Sequence, residues 1–385
     1  MNIKPPIFVD DILNILNNIG DMQDAHRRAL LFALRKRLNF GVLKCVFMII
    51  NGKKMDVSPV LEIDDHIMEQ VMKTKYVGDI FNQQGTNEDL IKDRVTKGRG
   101  TMISLIALCE ESGLGKYTVQ SMILLYMTVF ISALIFNCQS WSHITKSNIT
   151  SLEKLQLKFL KLILRLPLST PNVFIFLEYG ILPLGHEIRK RSMIYLHHIL
   201  TLKDDDPVNL SYHQGLRLSH EPNWANEVKK IRLVYGITAS DEEVSRLSIA
   251  EWKRTVTSKV QEAVFQELIE EARGASKTQD LEYQQFTCQE YLWALDAYSA
   301  RKIACLRSRT FSCKANHKSS YSDLSCRAGC SVIETQEHLV NCSKIQGDVT
   351  EIDLAFVKKA NLECDGSRVR ELLKRMEVAE NWCHD

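Results

Sequence analysis

The feature that most restricts the fold is a long segment without charge. From Tyr117 to His143 the chain contains no Asp, Glu, Lys or Arg. Such a segment is buried in a protein core or inserted in a bilayer, which a helix of about 20 apolar residues crosses. The polar residues that interrupt it are Gln120, Ser121, Thr128, Ser132, Asn137 and Gln139. These interruptions favour a buried core helix, and a membrane span is the weaker alternative, so we expect no membrane partner.

The chain after Asn87 has the pattern of helices separated by Gly and Pro breaks. The predicted helices are 87–112, 116–140, 147–166, 186–200, 241–273 and 280–306. A polar stretch, 203–215, is predicted to be a linker, and 366–380 a short exposed helix of mixed charge. Before Asn87, short β-prone runs flank one helical segment. The predicted fold class is therefore mainly α, with a small α/β portion at the N-terminus.

The helix predicted from Ser147 has two distinct faces. One face carries an apolar stripe that includes Leu152, Leu155 and Phe159. Cations recur at spacings of four, three and four along the other face, at Lys154, Lys158, Lys161 and Arg165. The simpler interpretation is the solvated face of an amphipathic helix. The alternative is a cationic stripe that follows a nucleic-acid backbone.

Four residues near the C-terminus have the spacing of a metal site. They form the pattern C-x3-C-x7-H-x3-C, with Cys326, Cys330, His338 and Cys342 as the ligands. Three thiolates and one imidazole are a typical tetrahedral set for Zn²⁺. Two alternatives remain open: these are reduced, partly buried cysteines, or the nearby pair Cys313 and His317 replaces one of the ligands.

Cysteine usage also bears on the cellular compartment. The chain has 11 cysteines, an odd number at irregular spacing, which is not typical of a secreted disulfide framework. The first twelve residues lack the pattern of a signal peptide. We therefore expect reduced thiols and a location in the nucleus or cytoplasm, not secretion.

A basic segment precedes the predicted metal site. Between Asp296 and Asp323 there is no acidic residue, although the net charge of the whole chain is only +2. Its cations are Arg301, Lys302, Arg307, Arg309, Lys314 and Lys318. The rings of Tyr298, Phe311 and Tyr321 alternate with them, and cations with aromatic rings suit single-stranded nucleic acid. The alternative is a solvated basic end of a helix.

Two adjacent acids, Asp10 and Asp11, lie between the β-prone runs Ile7–Val9 and 12–15. This arrangement predicts a tight hairpin with both carboxylates at its turn. Polymerases transfer phosphoryl groups with two divalent cations held about 4 Å apart by carboxylates. An ordinary acidic turn is the alternative, because acidic residues favour turns in any case.

Here the chain resembles a known family, the reverse transcriptases of non-LTR retrotransposons. Phe8-Val9-Asp10-Asp11 resembles their palm motif C. The further motifs that match in order are Leu38-Asn39-Phe40-Gly41 with Lys44-Cys45, Lys75-Tyr76-Val77-Gly78, Leu124-Leu125-Tyr126 with Asn137 and Trp141, the stretch Pro167 to Pro171, and the final cysteine cluster. The resemblance covers most of the chain.

The resemblance implies a role for several residues. Asp10 would bind Mg²⁺ in an intact enzyme, Asp11 would be its acidic neighbour, and Lys44 would act near the leaving pyrophosphate. The implied partners are an RNA template and a DNA primer or target; the oligomeric state is not indicated. The implied parts are a palm remnant (1–75), a helical thumb-like region (76–170), a helical linker region (171–300), the basic segment with a zinc knuckle (301–345) and a tail helix (346–385).

The chain also departs from the family. A reverse transcriptase palm takes a further metal-binding aspartate from an earlier strand, and only nine residues precede Asp10 in this sequence. A metal pair held by one hairpin lacks its bridging ligand. We therefore expect no polymerase activity from this chain alone. The alternative function is a non-catalytic, zinc-dependent RNA- or DNA-binding module, or the relic of a dead element.

Overall fold

The chain is described by a computed structural model. The described residues are 7–8, 11–39, 41–50, 59–111, 119–218, 223–360, 362, 364 and 366–384. Within them the protein is mainly helical with a few short strands, as the sequence predicts. No helix among these residues is both long and apolar enough to cross a membrane.

The N-terminal region consists of one helix and several two-stranded pairs. Its elements are β1 (Ile7–Phe8), β2 (Asp11–Ile12), α1 (Ile19–Lys36), β3 (Val46–Phe47), β4 (Glu62–Ile63), β5 (His66–Ile67) and β6 (Glu69–Gln70). β1 and β2 are antiparallel with Phe8 opposite Asp11, so the predicted pairing forms, but Asp11 belongs to β2 rather than to the turn and 13–15 are not in a strand. β3 pairs with β6 in parallel, and β4 pairs with β5. None of these pairs has a third strand among the described residues.

The core of this N-terminal region is small. Four side chains are buried together, namely Phe47, Leu61, Ile63 and Met68. The inner face of α1 packs on them through partly buried residues such as Met22 and Leu30. An N-cap fixes the start of α1, because the side chain of Asn18 accepts a hydrogen bond from the backbone N–H of Asp21 at 2.8 Å. So few buried groups make a marginal unit.

The next hairpin belongs to the helical body rather than to this small core. It consists of β7 (Lys73–Tyr76) and β8 (Asp79–Asn82). Asp79 is buried and forms an ion pair with Arg94 at 2.5 Å. Asn137 donates to the other oxygen of Asp79 at 2.6 Å. The buried carboxylate therefore joins the hairpin to the helix that carries Arg94 and to the turn that carries Asn137.

In the described part of the uncharged segment the predicted helix forms from Val119 to Leu134, and 135–140 form turns instead. The helices here are α2 (Glu88–Glu111) before the segment, α3 (Val119–Leu125) and α4 (Ile131–Leu134) within it, and α5 (Lys146–Ile163) after it. A π-helical turn, Tyr126–Phe130, joins α3 to α4. Tyr126, Phe130 and Leu134 are fully buried. Helix α2 approaches closely at Gly98, where a Cβ atom would lie 2.8 Å from Leu134 Cδ1. One side of the segment is therefore buried in the core, although Leu124, Met127 and Phe136 are exposed.

The helices that follow along the chain pack on this core. They are α6 (Asn172–Tyr179), α7 (Leu184–Leu200), α8 (Pro207–Arg217), α9 (Trp224–Val234), α10 (Asp241–Arg246) and α11 (Ile249–Gly274). The linker prediction for 203–215 is wrong, because α8 begins there. Asp206 caps it by accepting from the Val208 N–H at 2.8 Å, and Pro207 occupies the first turn, where its missing N–H costs nothing.

The C-terminal helices complete one continuous core that extends from Leu90 to Ala379. They are α12 (Tyr291–Ala294), α13 (Ala297–Arg307), α14 (Gln336–Asn341), α15 (Ser343–Gln346) and α16 (Ser367–His384). The predicted helix at 280–306 is wrong in its first third, which is not helical. The predicted tail helix does form, but its predicted exposure is wrong: Leu372, Met376 and Ala379 of α16 are fully buried against the preceding helices.

Candidate metal centre

A short antiparallel bridge between Ser325 and Ile333 forms the first half of the site. The N–H of Cys326 donates to the Val332 carbonyl at 2.8 Å. The loop then turns back, because the Gly329 N–H donates to the Cys326 carbonyl at 2.9 Å. Gly329 has a φ of 78°, a left-handed conformation that glycine adopts without strain. This turn brings Cys330 back beside Cys326.

Helix α14 supplies the second half. Thr335 caps it by accepting a hydrogen bond from the His338 N–H at 3.0 Å. Cys342 lies at the junction of α14 and α15, one helical turn after His338. A spacing of four residues on a helix places two side chains on one face, so both aim at the Cys326–Cys330 loop.

The four predicted ligands converge. One ligand atom from each of Cys326, Cys330, His338 and Cys342 lies within 4.8 Å of the others. The Sγ of Cys342 lies 4.0 Å from that of Cys326 and 3.3 Å from that of Cys330. Tetrahedral thiolates about 2.3 Å from zinc would be about 3.8 Å apart. These residues could therefore hold a metal ion such as zinc.

The His338 ring gives an independent sign of a ligand. Its Nε2 atom is buried and has no hydrogen-bond partner among the described residues. Buried polar atoms are rarely left unsatisfied, because the desolvation cost is about 1–3 kcal/mol. A cation at the centre of the cluster would use the lone pair of this nitrogen, and so the donor set fits a metal.

The three thiols of the cluster affect one another's ionisation. A hydrogen bond with the Cys342 thiol, followed by partial desolvation and the Cys326 thiol, raises the pKa of Cys330 to about 11. Three neighbouring thiols repel one another once ionised. A divalent cation reverses this repulsion and deprotonates thiols that bind it.

Two residues outside the ligand set hold the loop in place. Glu334 is completely buried and receives hydrogen bonds from the Arg327 side chain and from the backbone N–H groups of Arg327 and Lys314. Burial acts to raise the pKa of Glu334, but these hydrogen bonds lower it overall. Lys344 donates to the Gly329 carbonyl at 2.8 Å. The sequence analysis did not single out either residue.

The competing pair does not join the cluster. Cys313 and His317 are described residues, yet the group of converging ligands includes neither. Cys313 is buried, and burial raises the pKa of its thiol to about 11. We therefore retain the original four ligands.

The basic segment is largely neutralised inside the protein. Arg307 is buried and pairs with Glu178 at 2.9 Å, and it also donates to the Val357 and Lys359 carbonyls. Lys302 is buried under the Tyr298 ring and lies 3.5 Å from Glu380. Neither cation can reach nucleic acid in this fold, which corrects the prediction for both.

The other side chains of the basic segment differ in their exposure to solvent. Arg309 pairs with Asp280 at 2.5 Å, and Phe311 is buried. Arg301 is half-buried, and Lys318 is exposed. Lys314 donates to the Ser325 carbonyl at 2.8 Å and lies 5.9 Å from the centre of the exposed Tyr321 ring. The part of the segment that remains accessible therefore lies beside the metal cluster.

The cationic stripe on α5 is also incomplete. Lys154, Lys158 and Arg165 are exposed, but Lys161 is buried. Its Nζ atom donates to the Leu168 carbonyl at 2.9 Å and to Asn172 Oδ1 at 3.0 Å. Helix α5 ends at Ile163, and the loop that follows folds back over Lys161. The prediction is corrected for Lys161, which has a structural role here.

The predicted catalytic residues are described only in part. Asp10 lies outside the described residues, and only the backbone of Asp11 is described. Lys44 is exposed at the end of a single 3₁₀ turn, Val42–Lys44. A Mg²⁺ site at the two aspartates therefore stays a prediction.

Comparison of the chain with protein-family models, with curated proteins and with solved structures found no match in any of the three.

Proposed function

We propose that this chain is the C-terminal part of a non-LTR retrotransposon reverse transcriptase, and that it binds nucleic acid through a unit organised by zinc. The observation that carries the proposal is the convergence of Cys326, Cys330, His338 and Cys342 on one point. A cysteine cluster of this order after a long helical region is what the resemblance implies. The hairpin register, with Phe8 opposite Asp11, is consistent with motif C.

The metal has a structural role in this proposal. Four protein ligands fill a tetrahedral shell, so no position stays open for water or substrate. The cluster is tied to the helices beside it: Gln336 donates to the Leu306 carbonyl of α13, and Arg375 of α16 donates to Asn341. Zinc would therefore fix the knuckle on this helical base.

The nucleic-acid surface lies on the outer side of the knuckle. Tyr321 is 42% exposed, and Lys314 is held beside its ring through the Ser325 carbonyl. An exposed ring can stack on an unpaired base, while Lys314 and the exposed Lys318 contact its phosphates. Lys154 and Lys158 on α5, with Arg165 just after it, would contact the backbone of the RNA template and DNA primer.

Catalysis is not proposed for the chain acting alone. A pair of Mg²⁺ ions needs carboxylates from separate strands, and β1–β2 has no further strand paired to it among the described residues. This observation favours the second candidate function, a zinc-dependent RNA- or DNA-binding module without catalysis. The two candidates share the zinc unit and differ in primer extension. With an RNA template, a DNA primer and Mg²⁺, we expect no incorporation of deoxynucleotides.

Metal analysis tests the zinc centre. The purified chain should contain one zinc ion per molecule by elemental mass spectrometry, and Cys330→Ser should lower that content to near zero. Cys45→Ser is the matched control, because Cys45 is a free, partly exposed thiol outside the cluster. Unchanged zinc in Cys330→Ser would remove the metal centre from the proposal.

Binding of a single-stranded RNA oligonucleotide, followed by fluorescence anisotropy at several salt concentrations, tests the surface. Tyr321→Ala should weaken binding by about 1–3 kcal/mol through lost stacking. Lys318→Gln should weaken it less and make the salt dependence shallower by about one phosphate contact. Lys230→Gln, at an exposed lysine on α9, is the control. Equal binding by Tyr321→Ala and the unmodified chain would exclude this surface.

A further inference from the structure

The candidate metal centre contains two thiols that lie close enough to become a disulfide. The Sγ atoms of Cys330 and Cys342 are 3.3 Å apart, whereas those of Cys326 and Cys342 are 4.0 Å apart. A disulfide bond is about 2.05 Å long, so the first pair has to approach by about 1.3 Å and the second by about 2 Å. Of these two pairs, Cys330 and Cys342 are therefore joined with the smaller movement.

The three thiols also differ in their exposure to solvent. Cys330 is partly exposed, whereas the exposed fractions of Cys326 and Cys342 are only 4% and 2%. The thiolate is the reactive form of cysteine, and a bound metal ion keeps its cysteine ligands in that form. An oxidant dissolved in water therefore reaches a reactive sulfur first at Cys330.

We propose that Cys330 is a site of oxidative modification by a peroxide, and that Cys342 captures the oxidised sulfur as a disulfide, which releases the metal ion. This proposal rests on the zinc centre proposed above. In the first step the Cys330 thiolate attacks one oxygen of hydrogen peroxide. An S–O bond forms, the O–O bond breaks and hydroxide leaves, so that Cys330 becomes a sulfenic acid.

The second step joins the two cysteines. The Cys342 thiolate attacks the sulfenic sulfur of Cys330, the S–S bond forms, the S–O bond breaks, and a second hydroxide leaves. Each hydroxide takes one proton from the solvent and becomes water. The two sulfur atoms together lose two electrons, and one molecule of peroxide gains them.

Disulfide formation removes two of the four metal ligands. Cys326 and His338 remain, and structural zinc is held by four protein ligands, so the ion leaves. The ligand thus freed, Cys326, follows Ser325, whose carbonyl accepts the hydrogen bond that holds Lys314 near the Tyr321 ring. Oxidation therefore loosens the surface proposed to bind RNA. The disulfide keeps the ligand loop tied to the end of α14, so that reduction restores the site.

The test treats the full, zinc-loaded chain with hydrogen peroxide. A chromogenic chelator should capture one zinc ion per chain. Mass spectrometry should find Cys330 joined to Cys342, because cleavage after Arg327, Glu334 and Glu337 places the three cysteines of the cluster on separate peptides. Binding of single-stranded RNA, followed by fluorescence anisotropy, should weaken by about fivefold or more as the stacking surface loosens. Dithiothreitol with added zinc should restore it.

Two variants retain four metal ligands and remove one thiol each. Cys330→His should keep its zinc and lose it to peroxide at least about tenfold more slowly, since the accessible thiolate is gone. Cys342→His should also bind zinc, but its Cys330 should accumulate as the sulfenic acid that dimedone traps, because the thiol 3.3 Å away is missing. Cys45→Ser, at a partly exposed thiol outside the cluster, is the control and should release zinc at the unmodified rate.

The outcomes distinguish the modification site from the zinc centre. If zinc stays bound and the thiols stay reduced under excess peroxide, the modification site is overturned and the zinc centre stands. A first disulfide that contains Cys326 also overturns the site. A chain purified without zinc removes the zinc centre and the modification site together. Should Cys330→His fail to bind zinc, the disulfide mapped in the unmodified chain still decides.

Discussion

The N-terminal region and the C-terminal unit bury their apolar side chains to different extents. The N-terminal region has a core of four side chains and leaves large apolar residues of α1 in solvent. The C-terminal unit of α13 to α16 belongs to the continuous core and has, in addition, a buried ion pair and a candidate metal centre. A unit with a small core gains much of its stability from added cross-links, a metal or a partner. The C-terminal unit has its metal ligands within the chain, whereas the N-terminal region leaves Leu31, Phe32 and Leu34 of α1 exposed.

Removal of zinc should produce the largest difference in stability between the two regions. Binding of structural zinc releases about 10–16 kcal/mol in isolated peptides, which is as large as the total stability of a domain. A chelator should therefore accelerate hydrogen exchange throughout α14 and α15 and in the parts of α13 and α16 that contact them. Exchange in α1 should not change. Equal acceleration in both regions would contradict the assignment of zinc to the C-terminal unit.

The buried ion pair should give the next largest effect. Arg307→Met leaves the Glu178 carboxylate buried without its cation, which typically costs about 3–5 kcal/mol. Urea denaturation measures this loss. Arg309→Met is the control, because the Arg309–Asp280 pair is partly exposed and should be worth about 1 kcal/mol or less.

A double variant sharpens this test. Replacing both partners, as in Glu178→Leu/Arg307→Met, removes the stranded charge and should recover part of the lost stability. No recovery would mean that the other partners of Arg307, the Val357 and Lys359 carbonyls and the ring of Tyr283, contribute more than the ion pair.

The small N-terminal core should melt independently of the helical body. Phe47→Ala should open that region and make 11–70 sensitive to trypsin, while the helical fragment persists. Phe159→Ala, at a fully buried position of the large core, should instead cost about 3–5 kcal/mol in the main unfolding transition. A single cooperative transition, shifted by both variants, would show that the two regions are coupled more tightly than their contacts indicate.

The same contrast explains what the sequence could and could not predict. The four metal ligands are within 17 residues, and local turn and helix geometry brings them together, so their spacing was sufficient. Arg307 meets Glu178, which lies 129 residues away, and no local pattern indicates that partner. Lys161 is buried by a loop that begins after its own helix ends. Periodicity correctly placed it on the face with Lys158, but not under a covering loop.

At helix α8 the local capping residues and the overall composition predict different structures. Asp206 followed by Pro207 is a strong helix start, yet the polar composition of 203–215 suggested a linker. The exposed surface of α1 is different in kind. Its leucines have helical spacing in the sequence, and only the structure shows that the opposite face of the helix is the one that packs on the core.

Variants of the helix caps should have the smallest effects on stability, each confined to one region. Asn18→Ala in α1 and Ser248→Ala in α11 each remove a side-chain acceptor from a helix N-terminus and should each cost about 1 kcal/mol. The first loss should appear only in the N-terminal transition, and the second only in the main one. Thermal unfolding followed by circular dichroism and by limited proteolysis distinguishes the two.

The cap of α11 should also respond to pH. Hydrogen bonds from the Ser248 side chain and backbone lower the pKa of Glu251. A carboxylate whose pKa is lowered by folding adds stability above its ordinary pKa, and this contribution is lost as the pH falls through the lower value in the folded state. Ser248→Ala should therefore flatten the acid limb of the main transition, since it removes the first cause of the shift. Asn18→Ala should leave that limb unchanged; if it alters the limb equally, the two regions do not unfold independently.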